Sequence, residues 1–173
     1  MSKILVAYFS RKGNNYVSGK VVNLPEGNTA VVARKIQKFT NADLFEIKTV
    51  DPYPDGYDET TVVAQQEQNT NARPKIVEPL PDVSQYDTII LGYPNWWGTM
   101  PMAVMTFLES CDLAGKKVTS FCTHEGSGMG SSERDLKKLC KGAEFFKGLP
   151  VHGSSVNVSD LNIERWLKDS GLL

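Results

Sequence analysis

Cysteine is scarce in this sequence: Cys111, Cys122 and Cys140 are the only three, and no two form a C-x-x-C pair. With His124 and His152 as the only histidines, no zinc-ligand spacing appears, and the thiols read as reduced structural groups. Net charge is equally small. The 19 basic and 20 acidic side chains nearly cancel, which leaves no global positive field to gather nucleic acid and no polybasic tail for anionic lipid. Long apolar runs are missing too: none approaches the ~18 residues of a membrane span, and Met1 to Phe9, interrupted by Lys3, is too short for a signal peptide. The expectation is a soluble, cytoplasmic protein that recognises its partner locally. No internal repeat or low-complexity tract is visible.

What remains suits one domain over residues 1–173, 40% of them hydrophobic. A chain of this length buries on the order of 70% of the surface it exposes when unfolded. Lys3 to Phe9 (KILVAYF) is a short, nearly continuous run of branched and aromatic side chains, the pattern of a strand covered on both faces. Asn15 to Val22 holds two strand-like runs around Ser18-Gly19, and Pro25 and Gly27 then break the chain, so residues 12–26 read as an inserted hairpin. From Thr29, residues Val32, Ala33, Ile36 and Phe39 share a helical face, and Ala42 to Lys48 reads as the next sheet strand.

The alternation continues to the end of the chain. Tyr57 to about Asn71 has a weak apolar face and predicts a half-exposed helix closed by Arg73-Pro74. Asp87 to Tyr93 and Lys117 to Thr123 are two further buried strands, separated by a helix opening near Pro101. Ser132 and Asp135 have the spacing of a capping box. A fifth sheet strand lies within Ala143 to Val151, interrupted at Gly148 and Pro150, and Ser159 is placed to cap a last helix with Ile163, Trp166 and Leu167 inward. Strands alternating with helices imply parallel pairing through right-handed crossovers. The expected fold class is α/β, a doubly wound five-stranded parallel sheet of order 2-1-3-4-5 sandwiched between helices.

In such a sheet the ligand site lies beyond the carboxyl ends of the strands where the winding reverses, between the first and third strands. Three loops meet there. The first supplies Ser10 and, past the insertion, Gly27, Asn28 and Thr29, whose helix N–H groups and hydroxyls can cradle a phosphate or simply cap the helix. The second, Pro94-Asn95-Trp96-Trp97-Gly98, sets two large aromatics at a strand end, where a flat heteroaromatic ring needs walls; one of the two is expected to pack as core. The third, Thr123-His124-Glu125-Gly126-Ser127-Gly128-Met129-Gly130, offers N–H groups unobstructed by side chains. Its glycine pattern does not follow the first strand, so it is no dinucleotide fingerprint.

These loops resemble those of the flavodoxin-like family, in particular bacterial flavodoxins and flavodoxin-fold NAD(P)H:quinone reductases, over nearly the whole chain from Lys3 to Leu167. VAYFSR followed by GNTAVVARKI is similar to the family's phosphate loop, here split by the insertion. Ser10, Asn28 and Thr29 match its phosphate positions, with Arg11 and Gly27 beside them. GYPNWWGTMP is similar to the loop that walls the flavin and implies that Pro94, Asn95, Trp96, Trp97 and Gly98 line the isoalloxazine. FCTHEGSGMGS resembles the second flavin loop, which makes Thr123, His124, Glu125, Gly126 and Ser127 candidates for the polar edge of the ring.

The resemblance implies one non-covalently bound FMN, with electron transfer as the function and no catalytic side chain required. A phosphate held by neutral dipoles and a ring between apolar walls would disfavour the anionic reduced flavin and lower its potential. The partner is either another redox protein or a small acceptor reduced at the expense of NAD(P)H, with the hairpin as a lid. Two other classes fail on residues. Ala7, Tyr8 and Phe9 lead straight to Ser10 without the acidic pair of a phosphate-responsive signalling domain, and no cysteine stands six positions before an arginine as a phosphatase needs.

Overall fold

Apolar continuity in the sequence becomes a parallel sheet in the computed structural model, which describes residues 2–173. Strand β1 (Ile4–Tyr8) is buried at every position. Leu5, Ala7 and Phe9 face one hydrophobic cluster and Ile4, Val6 and Tyr8 the other, as a strand covered on both sides requires. The insertion forms a separate antiparallel hairpin, β2 (Gly13–Val17) and β3 (Lys20–Leu24). Its turn residues Ser18 and Gly19 have φ of 53° and 86°, the positive pair that a two-residue type I′ turn demands.

Helix α1 (Asn28–Thr40) follows, then β4 (Asp43–Glu46), α2 (Tyr57–Asn69), β5 (Thr88–Pro94), α3 (Met102–Glu109) and β6 (Lys117–His124). The chain ends with α4 (Ser132–Leu139), β7 (Glu144–Phe145), β8 (Leu149–His152) and α5 (Asp160–Asp169). All sheet pairs are parallel and the order is β4-β1-β5-β6, with β7 and β8 both on the outer edge of β6. Setting the hairpin aside, this is the expected order 2-1-3-4-5 with the fifth position divided. The division has a cause. Thr119 Oγ1 donates to the carbonyls of Phe146 and Lys147 (3.2 Å each) and Trp166 Nε1 to that of Lys147 (2.8 Å), so the bulging chain has its polar groups satisfied away from the ladder.

Helices α1 and α5 cover one face of the sheet, burying Val32, Ala33, Ile36, Ile163, Trp166 and Leu167, while α3 and α4 cover the other with Val104, Phe107, Leu108 and Leu136. Helix α2 buries only Thr60 and Ala64. No helix among the described residues is long and apolar enough to cross a membrane.

Two capping expectations are corrected. Ser132 and Asp135 make no capping box: Ser131 is the N-cap, Ser132 Oγ donates to Met129 O (2.6 Å) and accepts from the Tyr93 hydroxyl (2.9 Å), and Asp135 accepts from Thr99 Oγ1 (2.6 Å). Ser159 stands at the N-cap of α5, but its hydroxyl donates backwards to Val156 O (2.7 Å). Pro101 stands at the N-cap of α3, at the helix start expected from the sequence. At Ser132, Asp135 and Ser159 a tertiary or neighbouring partner wins over the local sequence pattern.

All three cysteines are free thiols, and burial pushes them up to about 11 at Cys111 and about 12 at Cys122 and Cys140, so they stay protonated at neutral pH.

At the sheet centre, a Cβ on Gly92 would run into the ring of the fully buried Phe121. Gly92→Ala is therefore expected to cost roughly 1–3 kcal/mol. A chemical denaturation curve should show a lower midpoint at unchanged slope, and an unaltered midpoint would contradict this packing.

Candidate functional site

At the carboxyl end of the sheet the three loops enclose a cleft of about 500 Å³. The first loop holds the start of α1. Gly27 is the N-cap and offers no side chain; a Cβ there would collide with Ser10 Oγ and the Arg11 carbonyl. Glycine thus lets the end of β1 close onto the helix, and Ser10 Oγ accepts from the Ala30 N–H (3.1 Å), supplying the cap from outside the helix. The N–H groups of Asn28 and Thr29 are left without partners among the described residues, and both residues line the cleft. The Thr29 hydroxyl is committed to that of Thr123 (2.8 Å), which joins the first loop to the third.

The second loop is a tight reversal. Trp96 and Thr99 exchange backbone hydrogen bonds (2.8 and 3.3 Å), and between them Trp97 and Gly98 have φ of 54° and 87°. Such a turn favours Asn-Gly; a bulky aromatic at positive φ is held only where its surroundings over-determine it. They do so here. Asn95 Oδ1 accepts from the Gly98 N–H (3.0 Å), Asn95 Nδ2 donates to Gly128 O (3.0 Å), and Gly98 O accepts from the Ser131 N–H (2.7 Å). Asn95 is therefore the brace between the second and third loops.

The two tryptophans divide their roles as expected of one of them. Trp96 packs edge-on against Phe9 and Tyr53, with centroids 5.1 Å away in both cases, and joins the core. Trp97 is 49% exposed, its Nε1 donating to Thr61 O (2.9 Å) on α2 while its carbonyl accepts from Gln68 Nε2 (3.2 Å). Both line the cleft.

In the third loop, Thr123, His124, Glu125 and Ser127 line the cleft and Gly126 does not; Gly126 instead donates its N–H to His124 Nδ1 (2.9 Å). Burial and the neighbouring His152 hold His124 below its ordinary pKa, which leaves it neutral at pH 7. Glu125 Oε2 accepts from the Ser18 N–H at the hairpin tip (3.3 Å) and lies 3.6 Å from His152 Nε2. Glu125 Oε1 is buried without a hydrogen-bond partner.

Of the candidates, only Ser10, Gly27 and Gly126 stand back from the lining. Arg11 lines it, with its guanidinium bound to the carbonyls of Asn14, Pro54 and Asp55 (2.9–3.1 Å), where it ties the hairpin to the loop before α2. Six lining residues were not foreseen: Asn15 and Tyr16 on β2, and Tyr57, Thr60, Thr61 and Ala64 on α2. Tyr16 stacks on Tyr57 (6.0 Å, 27° between planes), so the hairpin and α2 together form the outer wall. The hairpin itself was visible in the sequence, and its aromatic Tyr16 on an otherwise polar strand was the available signal.

The family model for flavodoxin matches residues 3–170. A protein from Bacteroides eggerthii, named provisionally as a flavoprotein, is 30% identical, superposes with a TM-score of 0.80 and covers 99% of each chain. A Lactobacillus acidophilus flavoprotein in complex with FMN is 20% identical over 96% of this chain and 99% of that one (TM-score 0.68). Fusobacterium nucleatum flavodoxin bound to flavin mononucleotide is 14% identical over 98% and 96% (TM-score 0.60), a likeness of fold. No curated protein matches the sequence.

The wall behind Trp96 carries a titratable support. The Tyr53 hydroxyl donates to Glu67 Oε1 (2.7 Å), and burial raises the Glu67 carboxyl despite that bond. Above the ordinary carboxylate range, the folded state resists ionising a group that the unfolded chain ionises freely; below it, both states are protonated and the penalty vanishes. Glu67→Gln keeps an acceptor for Tyr53 and removes the penalty. Its Tm is expected to exceed that of the unaltered protein at neutral pH and to converge with it near pH ~4. A lower Tm at neutral pH would show the charged form to be the stabilising one.

Proposed function

The chain belongs to the flavodoxin family, and from that premise we propose that it binds one FMN non-covalently in the loop cleft and serves cytoplasmic electron transfer, as a single domain carrying the 12–26 hairpin. The convergence of a free helix N-terminus and an exposed tryptophan on one cleft of about 500 Å³ carries this reading. The Asn28 and Thr29 N–H groups suit a phosphate, whose charge the α1 dipole favours without a lysine or metal. Trp97 in the second loop, with Tyr16 and Tyr57 on the outer wall, suits a planar ring.

Bound FMN supplies one-electron and hydride chemistry, and the protein residues hold it, exclude water and set its potential. Neutral donors at the phosphate, a neutral His124 and apolar walls disfavour added negative charge on the ring, so the potential for full reduction should fall below that of free flavin. A second reading, an FMN-dependent oxidoreductase taking hydride from NAD(P)H to reduce a quinone or related small acceptor, is favoured by one observation: Tyr16 and Tyr57 cover the cleft on its outer side. Steady NAD(P)H oxidation without a partner reductase would distinguish it from a carrier that works between proteins.

Titration of the apoprotein with FMN should quench flavin fluorescence at one-to-one stoichiometry. Trp97→Ala should weaken binding at least about tenfold, or about 1.4 kcal/mol, with little loss of fold stability, whereas Trp96→Ala should lower both binding and Tm because it also empties the Phe9–Tyr53 packing. A protein that stays colourless and unsaturated in excess FMN would end the proposal.

A further inference from the structure

A second cavity of about 440 Å³ lies on the other side of the tryptophan turn, between it and helices α3 and α4. Trp97 and Gly98 line both spaces, so the turn is a shared wall. Met102 and Met105, at 5% and 8% exposure, supply an apolar floor, and methionine thioethers pack well against aromatic rings; Gln68, Asn71, Thr99 and Ser131 are polar parts of the lining. Arg134 and Lys138 line the same cavity from successive turns of α4 and so stand on one face. Lys138 makes no ion pair or hydrogen bond among the described residues, and Arg134, 65% exposed, reaches only its neighbour Asp135 (3.3 Å). Asp135 is the one carboxylate in the lining, and its other oxygen is taken by Thr99 Oγ1 (2.6 Å). Two cations against one engaged carboxylate leave the rim positive.

An apolar floor, a half-exposed indole and a positive rim select for a flat ring that carries an acid. We propose that this cavity is a binding site for a small aromatic anion, a one- or two-ring carboxylate or sulfonate, whose ring lies over Met102 and Met105 beside Trp97 and whose acidic group meets Arg134 and Lys138. The volume falls within the ~300–1,000 Å³ of small-molecule sites, and a guanidinium fork pairs with such an acid bidentately. The site shares its Trp97-Gly98 wall with the flavin cleft and takes its acid-binding groups, Arg134 and Lys138, from α4 alone.

Isothermal titration of the full chain with naphthalene-2-sulfonate, alone and in saturating FMN, tests the proposal. One-site binding with a Kd below about 1 mM is expected in both conditions. The double variant R134A/K138A, altered only at exposed positions, should weaken it at least tenfold without changing Tm, and uncharged naphthalene-2-methanol should bind at least tenfold more weakly. Three results would overturn it: no binding up to 10 mM, binding unaffected by R134A/K138A but displaced by FMN, or equal affinity for the uncharged alcohol. The first and third reject the site itself, and the second moves the ligand into the flavin cleft. None of them counts against FMN binding.

Discussion

Backbone hydrogen bonding fixes the heights at which β1, β5 and β6 end, and the cleft exists because those heights agree. In the parallel ladder Tyr8 pairs with Gly92 and Gly92 with Phe121. The last rungs, Phe9 N–H to Gly92 O and Asn95 N–H to Thr123 O, are 2.9 Å each. A parallel strand in mid-sheet must satisfy its N–H and C=O groups on both sides, so none of the three can slip without orphaning buried polar groups or turning its apolar side chains to the wrong face. Three chain reversals therefore begin at one level, and their loops meet whatever their sequences.

Sequence then decides how firmly they meet. Thr29 to Thr123, Asn95 to Gly128 and Gly98 to Ser131 tie the first and second loops to the third and to the start of α4 through short polar contacts. This bracing holds Trp97 at positive φ, a conformation that costs an unsupported aromatic about 1–3 kcal/mol. The strain places a large, half-exposed indole between two cavities, and so appears where structure serves a site more than the core. The α1 end of the cleft, by contrast, relies on little side-chain chemistry: free N–H groups at α1, a glycine that allows the close approach, and a serine that caps from the loop after β1.

Features carried by short-range pattern were legible in the residues. Continuous apolar runs located the central strands, Ser18-Gly19 located the hairpin turn, and paired aromatics at a strand end located a wall of the cleft. What was not legible depends on tertiary geometry. Helix α2 has almost no apolar face, so nothing in its own sequence revealed that Tyr57, Thr60, Thr61 and Ala64 border the cleft; they do so because Tyr57 stacks on Tyr16 and Thr61 accepts from Trp97. The capping spacing of Ser132 and Asp135 misled for the same reason, since Tyr93 and Thr99 reach those side chains first. The divided fifth strand was marked by Gly148 and Pro150, but the donors that stabilise the break, Thr119 and Trp166, are distant in sequence.

The most direct test of this architecture is a two-dimensional amide NMR spectrum recorded with and without FMN. The expected shifts are concentrated at Asn28, Thr29, Trp97 including its indole N–H, Ser127 and the Tyr16–Ser18 hairpin tip, with α5 undisturbed. Shifts confined to other surfaces, or a spectrum that FMN leaves unchanged, would contradict the assignment of the cleft.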